Sequence, residues 1–206
     1  MISSDSPESL CADLTGLILI GGKSSRMKRD KSLLEFHGKT QREHLANLLK
    51  KITPNVSFSC NATQLGTTQK PSHCVVDRVK EAGPLGGIIS AHLEFPHHAW
   101  FVTACDMPFI TLSLLQELYS QRNPKKMATA FRHPHTGYPE PLFAIYEPEG
   151  LKMMKLEFEQ GEKSPSRLLG KMQVEWLIPS QPERLANVND AEALERAKEV
   201  IQNRQA

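Results

Sequence analysis

The sequence predicts a three-layer α/β/α sandwich built on a mostly parallel sheet. Short apolar runs, which indicate buried strands, alternate along the chain with segments whose apolar residues recur at helical spacing. This alternation is typical of strand-helix-strand units, which place the strands in parallel and the helices on both faces of the sheet. The 206 residues fit one domain. We expect residues 14–206 to form that domain and the polar residues 1–13 to form a flexible tail.

In the first half of the chain, four apolar runs predict strands, and each is followed by a polar or glycine-containing exit. Three helical patterns are predicted here, the first after the capping residue Thr40, the second after a glycine turn at 83–87 and the third from Thr111. The predicted strands are 17–20, 56–60, 75–76 and 100–105. The predicted helices are 41–52, 88–95 and 111–121, and residues 32–36 are expected to form a short strand or turn.

The second half continues the alternation, with strands predicted at 127–131, 142–146 and 174–178 and helices at 150–160, 164–171 and 191–204. Pro165 stands at a first-turn position that proline tolerates, and Asp190 is expected to cap the last helix. Residues 132–141 contain three prolines and a glycine. We therefore expect an irregular loop there.

Composition and charge favour a soluble, cytoplasmic globular protein. Hydrophobic residues make up 39% and charged residues 23% of the chain, and the formal net charge is only +2. This balance gives no case for a nucleic-acid partner or a membrane surface. No apolar run approaches the roughly 18 residues of a membrane span, and the first 13 residues lack the apolar core of a secretory signal.

The four cysteines, Cys11, Cys60, Cys74 and Cys105, include no C-x-x-C pair. Such spacing argues against a structural zinc site and against a disulfide scaffold. We interpret them as reduced thiols.

The most informative stretch follows the first predicted strand. The apolar run 17–20 stops at Gly21-Gly22, and the next nine residues carry five cationic side chains: Lys23, Arg26, Lys28, Arg29 and Lys31. A backbone without Cβ atoms can approach a polyphosphate closely, and fixed cations neutralise it. A Walker A loop is excluded because its first glycine would fall at Leu17, inside the strand. A dinucleotide fingerprint is excluded because the next glycine is Gly38.

Two further strand exits carry carboxylates. Asp77 follows the strand at 75–76 and precedes the turn that contains Gly83, and Asp106 follows the strand at 100–105. In a parallel sheet these exits and the Gly21 loop open on the same edge. A cationic loop with one or two carboxylates suits a nucleoside triphosphate and Mg²⁺.

The segment 21–34, GGKSSRMKRDKSLL, resembles the signature loop of the molybdenum cofactor guanylyltransferases, G-G-x-S-x-R-M-G-x-D-K-x-L-L. Lys28 stands where that family usually has glycine, and Ile20 where alanine is common. Four later segments are similar to other elements of the family: 83–87 (GPLGG), 102–108 (VTACDMP), 141–146 (PLFAIY) and 187–189 (NVN). The resemblance therefore covers roughly residues 15–200.

The resemblance implies a Rossmann-like nucleotidyltransferase fold and transfer of GMP from GTP to molybdenum-molybdopterin, with release of pyrophosphate. It implies Mg²⁺ bound at Asp106 and catalytic roles for Arg26, Lys31 and Asp106. The implied nucleotide contacts are Leu19, Ile20, Gly21, Gly22, Lys31, Asn61, Asp77, Gly83 and Asp106. The implied contacts to the second substrate are Ser166, Arg167, Asn187 and Asn189. Molybdoenzyme apoproteins and upstream cofactor-insertion proteins are the expected protein partners.

Several alternatives stay open at the level of sequence. Asn61 either reads the base or ends a strand, and Ser59 is an alternative nucleotide contact. Ser166 and Arg167 equally suit the first turn of a helix, and Asn187 and Asn189 equally suit a loop and cap. A related cytidylyltransferase or another nucleotidyltransferase would use the same chemistry. Lys28 in place of glycine also suits a non-catalytic carrier that binds GTP or the cofactor.

Overall fold

The computed structural model describes residues 12–20, 31–61, 64, 73–79 and 82–205. The strands and helices of these residues follow one another in the order β1 (Leu14–Leu19), α1 (Gln41–Leu49), β2 (Val56–Cys60), β3 (Cys74–Val76), α2 (Pro84–Glu94), β4 (Ala99–Ala104), α3 (Leu112–Ser120), β5 (Ala128–Arg132), β6 (Pro139–Tyr146), α4 (Pro148–Glu159), α5 (Pro165–Lys171), β7 (Val174–Leu177) and α6 (Ala191–Gln205). Two 3₁₀ helices, Lys31–Leu33 and Pro182–Leu185, complete the described elements.

The strands form one sheet in the order β3-β2-β1-β4-β6-β5-β7. The four pairs β1–β2, β1–β4, β2–β3 and β5–β7 are parallel, and β6 is antiparallel to both β4 and β5. All six residues of β4 are buried, as expected of a central strand covered on both faces. The predicted mostly parallel sheet is confirmed.

Helices cover both faces of the sheet. A Cβ at Gly16 would contact Leu49 of α1 at 3.2 Å, whereas a Cβ at Gly87 of α2 would contact Leu19 at 3.0 Å. Successive side chains of a strand point to opposite faces, so residues 16 and 19 of β1 face opposite layers. The three-layer prediction is therefore confirmed.

Local capping chemistry begins several helices where the sequence predicts. Thr40 and Glu43 form a reciprocal capping box at the start of α1, with the Thr40 amide 3.0 Å from a Glu43 carboxylate oxygen. Thr111 accepts a hydrogen bond from the Leu114 amide at the start of α3. Asp190 accepts one from the Ala193 amide at 2.8 Å in α6.

The irregular loop expected at 132–141 is wrong at its carboxyl end. The chain turns back after His133, whose amide donates to the Tyr138 carbonyl at 2.8 Å, and β6 begins at Pro139 rather than at 142. Between the pairs Ala130↔Ala144 and Arg132↔Pro139, β6 advances five residues while β5 advances two. The three extra residues form a bulge, which lets a proline-containing segment join a sheet.

Other element boundaries also differ from prediction, most of them by one to three residues. Helix α2 begins at Pro84 rather than at 88, because Gly83 takes a positive φ of 56° as the cap and Pro84 has a φ suited to a first turn. In the segment 32–36, residues 32 and 33 belong to a 3₁₀ helix, and Glu35 forms an isolated bridge with Thr40.

The last helix packs in a second, smaller apolar cluster. Phe36, Val188, Leu194, Ala197 and Ile201 form a small apolar cluster separate from the main core. The Val188 amide donates to the Asp106 carbonyl at 2.7 Å, which attaches this segment to the end of β4. No helix in the part of the chain that the structure describes is long and apolar enough to cross a membrane.

Candidate active site

The carboxyl ends of β1, β2, β3 and β4 lie side by side. Leu19 is in register with Ser59 on one side and with Ala104 on the other, and Cys60 is in register with Val76. The residues that leave the sheet at this edge are Asn61, Asp77 and Asp106. The expectation that the strand exits open on one edge is confirmed for Asp77 and Asp106, and β1, which precedes the Gly21 loop, ends at the same edge.

Asp106 has a buried carboxylate oxygen that accepts no hydrogen bond from the described residues. Its Oδ1 is shielded from solvent and has no hydrogen-bond partner among the described residues. Burial raises the pKa of Asp106 above its usual value, and the nearby Lys31 charge partly opposes that shift. A buried carboxylate oxygen without a donor is costly unless a cation or a ligand meets it. These properties fit a metal-binding carboxylate.

Lys31 joins the N-terminal and C-terminal parts of the site. Its Nζ donates to the Val188 carbonyl at 2.7 Å and to the Asn189 Oδ1 at 3.1 Å. Since the Val188 amide also binds the Asp106 carbonyl, these contacts bring together Lys31, Asp106 and Asn189. Asn187 is exposed in the same short segment.

Two hydrogen bonds to β2 hold Asp77 in place. Its Oδ1 accepts a hydrogen bond from the Ser59 hydroxyl at 2.7 Å, and its amide donates to the Cys60 carbonyl at 2.9 Å. Burial raises the pKa of Asp77, and the Ser59 hydrogen bond opposes the shift. Asp77, a predicted nucleotide contact, and Ser59, the predicted alternative to Asn61, thus form one hydrogen-bonded pair.

The glycine turn lets α2 approach β2 closely. A Cβ at Gly87 would overlap the Ser59 hydroxyl, and a Cβ at Gly86 would lie 2.8 Å from the Val79 carbonyl oxygen. Gly83 needs its glycine for a different reason, because its φ is positive. The turn therefore sets the N-terminus of α2 next to the Ser59–Asp77 pair. A helix N-terminus favours negative charge.

Gln64 links two predicted nucleotide contacts, Ile20 and Asn61. Its Nε2 donates to the Ile20 carbonyl at 2.9 Å, its amide donates to the Asn61 Oδ1 at 2.9 Å, and its Oε1 accepts from the Asn61 amide at 3.1 Å. Sequence reasoning did not select Gln64, although its spacing from Asn61 suits such a reciprocal pair. Leu19 is buried, and its carbonyl accepts from the Cys105 amide at 3.2 Å.

Glu140 is a further carboxylate near Asp106, and sequence reasoning did not select it. It lies on the bulged stretch of β6, and its Oε1 accepts from the Leu142 amide at 3.0 Å. Burial raises the pKa of Glu140 to about 7, and the charge of Asp106 adds to that shift. The two carboxylates are therefore within electrostatic reach of each other. The prolines on either side of Glu140 hid its strand position.

Ser166 and Arg167 occupy the first turn of α5 and form local contacts. The Arg167 amide donates to the Ser164 hydroxyl at 3.3 Å, and the Arg167 guanidinium pairs with Glu162 at 3.3 Å. Within the described ranges, no hydrogen bond or ion pair connects Ser166 or Arg167 to Asp106. Their role toward a second substrate stays a prediction.

Gly21, Gly22 and Arg26 lie outside the described residues, as does the rest of the segment 21–30. Gly21 directly follows Ile20, whose carbonyl Gln64 binds, and residue 30 directly precedes Lys31. Both ends of this segment therefore connect to described residues of the same edge.

The described side chains fit a divalent cation bound by few protein ligands. Asp106 and Glu140 offer hard carboxylate oxygens, and Asp106 has one without a partner. Mg²⁺ usually takes one or two carboxylates and completes its octahedron with waters and substrate phosphates. No group of three or more metal-binding side chains occurs in the described part of the chain.

Comparisons with known proteins are consistent across sequence and structure. The model of the MobA-like NTP transferase domain matches residues 16–175. The chain is 33% identical to the molybdenum cofactor guanylyltransferase of Pseudomonas entomophila, over 86% of this chain and 94% of that protein. It is 31% identical to a molybdenum cofactor biosynthesis bifunctional protein of Synechocystis over 87% of its own length, but spans only 52% of that protein.

Among solved structures, molybdopterin-guanine dinucleotide biosynthesis protein A from Archaeoglobus fulgidus superposes with a TM-score of 0.73 and 23% identity. The match covers 92% of this chain and 99% of that chain. At this identity the likeness concerns the fold.

Proposed function

The chain belongs to the MobA-like NTP transferase family, and we propose that it transfers GMP from GTP to molybdenum-molybdopterin, forming molybdopterin guanine dinucleotide and pyrophosphate. The observation that carries this proposal is the meeting of Lys31, Asn189 and Asp106 at the carboxyl edge of the sheet. The names of relatives that are 31–33% identical over most of the chain favour guanine among the bases.

The reaction requires positioning and charge neutralisation more than a protein nucleophile. An oxygen of the terminal phosphate of molybdopterin forms a bond to the α-phosphorus of GTP, and the bond from that phosphorus to the β-phosphate oxygen breaks. The attacking phosphate is already an anion, so no protein group needs to remove a proton to create the nucleophile. Preorganised cations and hydrogen-bond donors then stabilise the charge that develops on the phosphates.

Lys31 is suited to neutralise phosphate charge. An ammonium group has three donors, and two of them are directed at the Val188 carbonyl and at Asn189. These two contacts fix the position of Nζ and leave one donor for a phosphate oxygen. Arg26 is proposed to act with Lys31, on the strength of its place in the signature motif.

Asp106 and Glu140 are proposed to hold Mg²⁺. Bound there, the cation would neutralise charge on the phosphate oxygens of GTP and on the departing pyrophosphate. It would also relieve the repulsion between two carboxylates that lie within electrostatic reach of each other. The protein's own contribution is to keep both carboxylates in a site with little water.

The nucleoside is proposed to occupy the side of the edge formed by β1, β2 and α2. Ile20, Asn61 and Gln64 supply backbone and carboxamide groups there, and guanine needs both donors and acceptors for its recognition. The Ser59–Asp77 pair and the turn at Gly83 flank the same region. Gly21 and Gly22 are proposed to hold phosphates through their backbone amides.

The second substrate is proposed to approach from the C-terminal side, where Asn187 and Asn189 lie. Ser166 and Arg167 are proposed as further contacts to it. The product would be passed to a molybdoenzyme apoprotein or to a protein that inserts the cofactor. The proposal places these steps in the cytoplasm.

The proposal is tested by pyrophosphate release from GTP, CTP, ATP and UTP, each with Mg²⁺ and molybdenum-molybdopterin. We expect release with GTP, together with a product of the mass of the guanine dinucleotide. Preference for CTP would replace the proposal with a cytidylyltransferase. Binding of GTP without pyrophosphate release would replace it with a carrier.

A further inference from the structure

Cys60 and Cys74 bring two thiols together near the carboxyl edge of the sheet. Their Sγ atoms are 2.8 Å apart, closer than the roughly 3.5–4.0 Å at which non-bonded carbon atoms pack. A disulfide bond is about 2.05 Å long. The two sulfur atoms therefore lie closer together than ordinary packed atoms, although no disulfide joins them. The lack of a C-x-x-C motif concealed this pair, because β2 and β3 create it.

We propose that Cys60 and Cys74 form a reversible disulfide and that this pair is an oxidation site of the protein. Cys60 is fully buried at the end of β2, and Cys74 is partly exposed at the start of β3. An oxidant therefore reaches Cys74 first, and Cys60 lies next to it as the resolving thiol.

The sheet order restricts the bond to this pair among the described cysteines. Cys105 follows β4, and β1 lies between β4 and β2. Strands are about 4.8 Å apart, so two steps across the sheet place Cys105 roughly 10 Å from Cys60. This distance exceeds the reach of a disulfide.

The oxidant is proposed to be a peroxide. The Cys74 thiol releases its proton, and its sulfur attacks one peroxide oxygen. The O–O bond breaks, sulfenic acid forms, and the departing hydroxide takes up the released proton to become one water. The Cys60 sulfur then attacks the sulfenic sulfur, the S–S bond forms, and the hydroxyl leaves as a second water with the proton of Cys60. Two thiols are oxidised by two electrons, and one peroxide is reduced to two waters.

The bond would act on Asp77 through the ladder between β2 and β3. Cys60 pairs with Val76 and Cys74 with Phe58, so the two cysteines are offset by two positions. Closing the bond across this offset pulls β3 along β2. The edge strand β3 has three residues, so it is the strand that gives way.

Asp77 directly follows β3, and its amide binds the Cys60 carbonyl at 2.9 Å. A shift of β3 therefore moves the Asp77 carboxylate relative to the Ser59 hydroxyl, now 2.7 Å away. The effect on nucleotide binding rests on the proposed function of this edge. The formation of the bond itself does not.

The chemistry is tested by mass spectrometry of the reduced protein after titration with hydrogen peroxide. Trypsin does not cleave the Lys70–Pro71 bond, so both cysteines stay in one peptide, 52–78. We expect that peptide to lose two hydrogens and to resist alkylation, and dithiothreitol to reverse both changes. Irreversible oxidation of Cys74 alone, or a bond to Cys11 or Cys105, would overturn the proposal.

The consequence is tested by GTP affinity before and after oxidation. We expect the Kd for GTP to rise about tenfold or more on oxidation and to return on reduction. Cys74→Ser and Cys60→Ala should each abolish this response, and the matched variant Cys11→Ser should keep it. An oxidised protein with the peptide change but unaltered GTP affinity would contradict the coupling to Asp77. Failure of the reduced protein to bind GTP would instead contradict the proposed function, while the mass result would stand.

Discussion

Lys31 and Asn189 are 158 positions apart in the chain, yet the Lys31 Nζ lies 3.1 Å from the Asn189 Oδ1. The neighbouring Val188 carbonyl accepts a second hydrogen bond from the same ammonium group at 2.7 Å. Lys31, which lies in the signature segment 21–34, is thus positioned by the segment that precedes the last helix. The proposed phosphate side of the site therefore depends on both ends of the domain.

Lys31→Ala is expected to lower kcat by roughly 10²–10³-fold, because it removes a cation from the phosphates. Asn189→Ala should lower kcat about tenfold, since it removes one hydrogen bond to that cation. If Asn189 acts through Lys31, the double variant should be no slower than Lys31→Ala. Steady-state pyrophosphate release measures all three, and strictly multiplicative losses would show that the two residues act independently.

Glu140→Gln is expected to weaken divalent cation binding about tenfold, because it removes one of two proposed carboxylate ligands. Mn²⁺ titration followed by electron paramagnetic resonance, with GTP present, measures the affinity without turnover. Glu149→Gln on α4 is the matched control, since the Glu149 side chain is 75% exposed. Equal Mn²⁺ affinity in both variants would remove Glu140 from the metal site.

Gly87→Ala is expected to destabilise the fold by about 1–3 kcal/mol, because the added Cβ overlaps the Ser59 hydroxyl. It should also weaken GTP binding by displacing Ser59 from Asp77. Gly170→Ala in α5 is the control, because a Cβ there has nothing within 4 Å, and it should be neutral or stabilising by roughly 0.5–1 kcal/mol. Urea unfolding measures both, and equal stability of the two variants would show that α2 can move away from β2.

His44 gives the fold a predicted acid sensitivity. Burial, and then the charge of His37 stacked on it at 3.7 Å, lowers the pKa of His44 from 6.5 to about 4. The folded state therefore binds fewer protons than the unfolded state between these values. The contribution of neutral His44 to the free energy of unfolding is fully present above pH 6.5 and is lost as the pH falls toward 4.

His44→Phe keeps a ring against His37 but removes the titration. Between pH 6.5 and 4, the free energy of unfolding should fall by about 1–3 kcal/mol less in the variant than in the wild type. Urea unfolding at a series of pH values measures this difference. The exposed His97→Gln variant should follow the wild type, and an unchanged slope in His44→Phe would contradict the assignment.

The sequence is informative where structure is decided locally. The apolar run before Asp106 predicts a buried strand with a carboxylate at its exit, and Thr40 predicts a helix start from its capping side chain alone. Both need only neighbours along the chain. The parallel sheet then brings the exits to one edge by a general rule of such folds.

The features that were missed depend on pairing between distant segments. Glu140 reaches the neighbourhood of Asp106 because β6 joins β4 and β5 and bulges between its prolines. Cys60 and Cys74 meet because β2 and β3 pair in one particular register. Neither relationship has a local signature, since one residue of shift in a strand would send each side chain to the other face.

Asp106 is proposed to serve GMP transfer rather than stability. The most direct measurement is GTP-dependent pyrophosphate release by Asp106→Asn, with molybdenum-molybdopterin present and Mg²⁺ titrated, alongside its melting temperature. We predict a loss of roughly 10²–10³-fold in kcat, a raised Mg²⁺ requirement and an unchanged or higher melting temperature, because the variant replaces a buried carboxylate with a neutral group. Turnover equal to that of the wild type at the same Mg²⁺ concentration would show that Asp106 has no part in the transfer.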